Sequence, residues 1–182
     1  TDLIEKTKWC LDNYDKALII AENAFQFSKL HLKMNLAIIG STGLVGKKML
    51  EILEERNFPI EKIIPVASKK SEGSSIEFKG KQYRVISIEN SFNEKIDIAL
   101  FSAGAEVSLK WAPKFNNNGI YVIDNSSAWR MDERVKLIIP EINGSLLGSK
   151  DRIIANPNCS TIQMLMVLAP IHKRFQIKRI IV

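Results

Sequence analysis

The stretch IIGSTGLVGKKML, residues 38–50, decides how this chain is read. It runs from an apolar pair into Gly40, Gly43 and Gly46, three glycines at three-residue steps, and then into an amphipathic segment. Glycine lets the backbone turn tightly and approach a bound group closely. A helix opening directly after the turn adds free N–H groups and the positive end of its dipole. Three glycines alone are a weak signal, and a plain tight turn is the plainer reading. A strand before them and a helix after them shift the balance toward a nucleotide phosphate.

The remaining sequence supplies that context. Residues 36–39 read as a short apolar strand, and 44–56 as a helix with Leu44, Val45, Met49, Ile52 and Leu53 turned inward. Further strands are predicted at 62–67, 96–101, 120–124 and 153–155, with an extended stretch at 135–139 and helices at 106–116 and 161–173. Residues 76–78 and 83–88 flank KGKQ and predict a hairpin, while Pro65 sits awkwardly inside a strand because proline cannot donate to a ladder. Strands alternating with helices predict an α/β fold, Rossmann-like and doubly wound, with a mostly parallel sheet.

Upstream, Leu11, Tyr14, Leu18, Ala21 and Phe25 recur at steps of three and four, so residues 1–33 read as a helical extension. Met34 stands just before the first strand and is a candidate native start. Residues 34–175 read as one dinucleotide-binding domain carrying the second cysteine. The final QIKRIIV, residues 176–182, reads as a strand that opens a second domain, so the chain looks cut there.

Composition narrows the functional classes. Of 182 residues, 46% are hydrophobic and 25% charged, ordinary values for a globular protein with a real core. The net charge of +6 suits an anionic small ligand. No basic block is interleaved with aromatics, which argues against nucleic acid. No apolar run approaches the roughly 20 residues of a membrane span. Residues 1–33 hold as many acids as bases and no secretory or mitochondrial signal. Two cysteines, Cys10 and Cys159, cannot build a disulfide framework and lack metal-ligand spacing, so no metal site is expected and a reducing, cytoplasmic setting is the simplest reading.

The second strand selects among nucleotides. A cofactor with a free ribose 2′-hydroxyl usually meets an acid about 20 residues after the loop. Here the strand ends in Ser68, Lys69, Lys70 and Ser71, with no acid before Glu72. Ammonium groups and hydroxyls suit a 2′-phosphate, which favours NADP over NAD. A solvated Lys-Lys turn is the alternative.

Cys159 follows Asn156, Pro157 and Asn158, and Ser160 and Thr161 suit a helix start. A thiol at a helix N-terminus feels the positive dipole end, which favours the thiolate. Beside a nicotinamide site, such a cysteine suggests aldehyde chemistry through a thioacyl intermediate. A lone cysteine is otherwise a small core residue. Ligands in open parallel sheets gather beyond the carboxyl ends of strands, here Gly40, Ser68, Ser102, Asp124 and Asn156. DNSSAWRM, residues 124–131, adds Arg130, whose planar fork suits a phosphate or carboxylate, or else a surface ion pair. His172 lies 13 residues past Cys159 on one predicted helix, roughly 20 Å away, too far for a general base. His31 falls in the N-terminal extension.

Taken in order, GSTGLVG, ASKKSEG, FSAG, DNSSAWRM, IPEIN and NPNCSTIQ resemble the aspartate-β-semialdehyde dehydrogenase family from about Met34 onward. The resemblance implies NADPH-dependent reduction of aspartyl phosphate to aspartate semialdehyde and phosphate, at the branch toward lysine, diaminopimelate, methionine and threonine. It implies that Cys159 is the acyl-thioester nucleophile and that Thr42, Gly43, Leu44 and Val45 line the pyrophosphate. Lys70 and Ser71 would hold the 2′-phosphate, Ser102 and Gly104 would lie along the cofactor, and Arg130 and Asn158 would flank the substrate phosphate. Family members are expected to continue into a second domain that supplies a glutamine, an arginine, a histidine and most of a homodimer interface. Lysine stands at position 70 where the family usually has arginine, keeping the charge but losing the fork. N-acetyl-γ-glutamyl-phosphate reductase, with similar chemistry, and a non-catalytic NADP-binding module are the competing readings.

Overall fold

A computed structural model describes residues 34–181. The helix expected within residues 1–33 lies outside the described residues. In chain order the elements are β1 (Met34–Ile39), α1 (Leu44–Glu55), β2 (Ile60–Val66), β3 (Ser75–Phe78), β4 (Lys81–Arg84), β5 (Ile98–Phe101), α2 (Ala105–Asn117), β6 (Tyr121–Asp124), β7 (Lys136–Leu137), α3 (Pro140–Asn143), β8 (Ile153–Ala155) and α4 (Cys159–Phe175).

Six strands form one sheet in the order β2-β1-β5-β6-β8-β7, and every pairing in it is parallel. β1 shows why. Its side chains alternate, with Leu36 and Ile38 entering one apolar cluster and Ala37 and Ile39 the other. A strand buried on both faces reads as a continuous apolar run and needs a helical layer on each side. α1 covers the first cluster with Leu50, Met49 and Leu53. α2 covers the second with Ala112 and Phe115. Phe115 meets Phe101 edge-on at 5.3 Å, both fully buried. Burying each such ring contributes about 1.5–3 kcal/mol. The doubly wound α/β expectation holds.

Several local expectations change. Leu44, Val45 and Ile52 do not face inward: Leu44 is 88% exposed and the other two are also exposed. The buried stripe is instead Gly46 and Leu50, continued by Leu53, because this i, i+4, i+7 row faces the sheet while the first turn sits at the strand ends. Pro65 is accommodated because β2 is an edge strand. The Pro65 carbonyl accepts from the Ile86 amide on the outer side, so the missing N–H also lies off the sheet. The hairpin forms, with β3 and β4 antiparallel around Lys79 and Gly80, both at positive φ as a two-residue turn requires. Residues 176–181 form no strand.

The chain leaves β1 for β2 on one side and later returns to β5 on the other. This reversal opens a crevice beyond the carboxyl ends of β1 and β5, where open α/β sheets bind ligands.

Candidate active site

The glycine loop sits in that crevice. The Gly40 and Ser41 amides and the Ser41 hydroxyl all donate to the Val66 carbonyl, pinning the loop to the end of β2. Gly40 has φ 95°, and a Cβ there would stand 2.5 Å from the Ser102 carbonyl oxygen. β1 and β5 therefore approach too closely for any side chain at this point. A Cβ on Gly46 would collide with the Gly40 carbonyl and lie 2.8 Å from Ser41 Cα, so α1 starts directly on the loop. No side chain caps α1, and its first intrahelical bond runs from the Lys47 amide to the Gly43 carbonyl. The Leu44, Val45 and Gly46 amides thus have no partner inside the helix. Such a cradle, closed to side chains and rich in amides, fits a dinucleotide pyrophosphate. Thr42 is half-buried beside it, and Gly43 is exposed. Across the crevice, Ser102 is half-buried with its amide on the Ile39 carbonyl, and Gly104 is exposed at the start of α2.

Beyond β2 the chain makes a 3₁₀ turn at Lys69–Ser71. Ser68, Lys69 and Lys70 are exposed and Ser71 is half-buried; neither lysine joins an ion pair among the described residues. Glu72, the first acid after the strand, accepts from the Ser87 amide and from Asn90 Nδ2 at 2.8 Å. Hydrogen bonding from Ser87, then from Asn90, holds its carboxyl below the usual range. The acid is engaged on the hairpin side, leaving the turn to the lysines.

Cys159 follows β8 on the same sheet edge. By strand order β8 is three positions from β1, about 14 Å at ordinary spacing. The sequence placed the helix start at Ser160 and Thr161. Instead Asn158 is the N-cap, accepting from the Ser160 amide at 2.9 Å, and Cys159 is the first helical residue, with an exposed free thiol. Its Sγ lies 3.9 Å from Asn158 Oδ1. His172 occupies the far end of the same helix, as expected. Among the described residues no group of His, Cys, Asp or Glu has metal-binding geometry.

Arg130 stands beside this loop and joins no ion pair among the described residues. Its Nε donates to the Asn156 carbonyl at 3.0 Å and its Nη2 to the Asn125 carbonyl at 3.1 Å. Nη1 has no partner among the described residues. The two asparagines also bond directly, Asn156 Nδ2 to Asn125 Oδ1 at 2.8 Å. Sequence reading missed this pair, because the residues are 31 positions apart and only parallel pairing of β6 with β8 joins them. Below, fully buried Asp124 accepts from the Ser126 amide and hydroxyl, and the Trp129 indole donates to buried Ser108 on α2.

A switch-point crevice, an amide-rich glycine loop and a helix-capped thiol on one sheet edge define a dinucleotide-binding α/β domain of the dehydrogenase class. Residues 35–149 match the family model for the semialdehyde dehydrogenase NAD binding domain. The chain belongs to the semialdehyde dehydrogenase family. It is 55% identical over 150 residues to the aspartate-semialdehyde dehydrogenase of Aquifex aeolicus, covering 80% of this chain and 44% of that protein. The structure of aspartate semialdehyde dehydrogenase II from Vibrio cholerae, complexed with ASA, superposes with a TM-score of 0.75 at 47% identity, over 78% of this chain and 47% of that one. A Candida albicans aspartate semialdehyde dehydrogenase with NADP shares the fold, at 21% identity and a TM-score of 0.62 over 78% of this chain and 47% of that one. The chain thus spans less than half the length of these relatives.

Proposed function

We propose that this chain forms the cofactor-binding and nucleophile-bearing part of an aspartate-semialdehyde dehydrogenase specific for NADP. The observation that carries the reading is the exposed Cys159 at the first residue of α4, on the sheet edge that also holds the glycine loop. Gly40, Thr42, Gly43, Leu44, Val45 and Gly46 surround the pyrophosphate. Ser68, Lys70 and Ser71 receive the 2′-phosphate, a role supported by the engagement of Glu72 elsewhere. Ser102 and Gly104 border the cofactor.

The Cys159 thiolate attacks the carbonyl carbon of aspartyl phosphate; a carbon–sulfur bond forms, the carbon–oxygen bond to phosphate breaks, and inorganic phosphate leaves. The Arg130 guanidinium and the side chain of Asn158 offset charge on that phosphate. NADPH, when bound, supplies the hydride that takes such a thioester to the aldehyde. His172 stands at the opposite end of α4, so the 182-residue chain alone binds NADPH without turnover. A cytoplasmic setting and a homodimer belong to the same proposal. Exposed apolar side chains on α4, including Val167 and Phe175, support an interface there. No helix among the described residues is long and apolar enough to cross a membrane.

The test mixes the chain with aspartyl phosphate and reads intact mass and released phosphate. The expected result is one acyl group on Cys159 with one phosphate released per acyl group, and tighter binding of NADPH than of NADH. Acylation elsewhere, equal binding of both nucleotides, or faster acylation by N-acetylglutamyl phosphate would overturn the reading.

A further inference from the structure

We infer that Asn156, through its side-chain bond to Asn125, is a positioning residue that holds the thiol of Cys159 in place beside the cofactor crevice. The inference rests on the proposed pairing of Cys159 with a bound nicotinamide nucleotide. Three residues separate the end of β8 at Ala155 from the first residue of α4. This short arm bears the nucleophile, and helix packing does little to fix it: α4 buries none of its residues fully.

The arm is instead tied laterally to the loop after β6. The Asn156 amide donates to the Asp124 carbonyl at 2.8 Å, and its side-chain amide donates to Asn125 Oδ1 at 2.8 Å. Its carbonyl accepts from Arg130 Nε, while Arg130 Nη2 reaches the Asn125 carbonyl. Every polar group of Asn156 except its side-chain oxygen is therefore spent on holding the two loops together. The β6 loop is itself anchored, through Asp124 to Ser126 and Trp129 to Ser108. Rigidity thus passes from the core to the arm through the two asparagines. The side-chain bond is the one link in this clasp that can be removed without touching backbone or arginine.

The experiment uses the 182-residue chain, with iodoacetamide alkylation of Cys159 followed by peptide mass spectrometry, with and without saturating NADP. In the unmodified chain NADP slows alkylation of Cys159. N156A is expected to lower that protection about fivefold, the loss of one ordinary hydrogen bond. N125A should act equally, and the double variant no further, since both remove one bond. N125D keeps an oxygen opposite the Asn156 amide and should retain protection. NADP affinity, measured by tryptophan fluorescence, should stay within about twofold in all variants, because the glycine loop is untouched. Full protection in N156A, or equal loss in N125D and N156A, would overturn the positioning role alone. NADP binding without protection of the unmodified chain would overturn the cysteine–cofactor pairing and this inference with it.

Discussion

Gly46→Ala sets two principles against each other. Gly46 lies in the first turn of α1, and helix propensity alone favours alanine there by about 1 kcal/mol. The structure reverses the sign. An added Cβ would collide with the Gly40 carbonyl and stand 2.8 Å from Ser41 Cα and 2.9 Å from the Gly40 carbonyl carbon. Carbon contacts settle near 3.5 Å, so the helix end must retreat by roughly 0.7 Å from a loop pinned to Val66. Forcing backbone apart in this way costs about 1–3 kcal/mol, and the rigid loop puts it at the upper end. The expected net loss is about 2 kcal/mol by urea unfolding. The displaced amides should also weaken NADPH binding about tenfold, the scale of one hydrogen bond to a charged group. Gly80→Ala separates conformation from crowding. Unlike the helical Gly46 it has a positive φ, 71°, but a Cβ there meets nothing, so its cost should be about 1 kcal/mol with binding unchanged. Stabilisation of Gly46→Ala with normal affinity would refute the argument that loop and helix touch too closely for a side chain.

Other outcomes follow from single contacts. Replacing Lys69 and Lys70 with alanine should weaken NADPH binding about fivefold per lysine and leave NADH binding unchanged, measured by fluorescence titration. Trp129→Phe removes the indole bond to buried Ser108 and should cost about 1–2 kcal/mol in urea unfolding, partly recovered by adding Ser108→Ala. Hydrogen bonds from Arg134 hold the Asp132 carboxyl down to about 2. Its folded value is depressed, so the stabilisation is present above the ordinary carboxylate range and lost as pH falls toward 2. In an NMR titration Arg134→Ala should raise the Asp132 value toward that ordinary range, short of it because the backbone amide of residue 134 still donates to the carboxylate.

The sequence by itself determined the fold class. Alternating apolar strands and amphipathic helices admit few architectures, and a three-glycine turn between a strand and a helix marks where the first βα unit meets a ligand. It determined the Lys-rich end of β2 and the cysteine after NPN, because these are local features of composition and order. It misjudged which face of α1 is buried, since Leu44 and Val45 look like core until the strand ends are located beneath them. It placed the last helix two residues late, since the side chain of Asn158 caps it. Tertiary structure alone decided what the polar groups bind. Glu72 is drawn to Ser87 and Asn90, which follow the hairpin in the chain, and among the described residues Arg130 is drawn to two carbonyls rather than to an acid. Asn125 and Asn156 meet across 31 residues. Hydrophobic pattern is written residue by residue along the chain, whereas hydrogen bonds between loops depend on strand order and register, which appear only once the sheet is assembled.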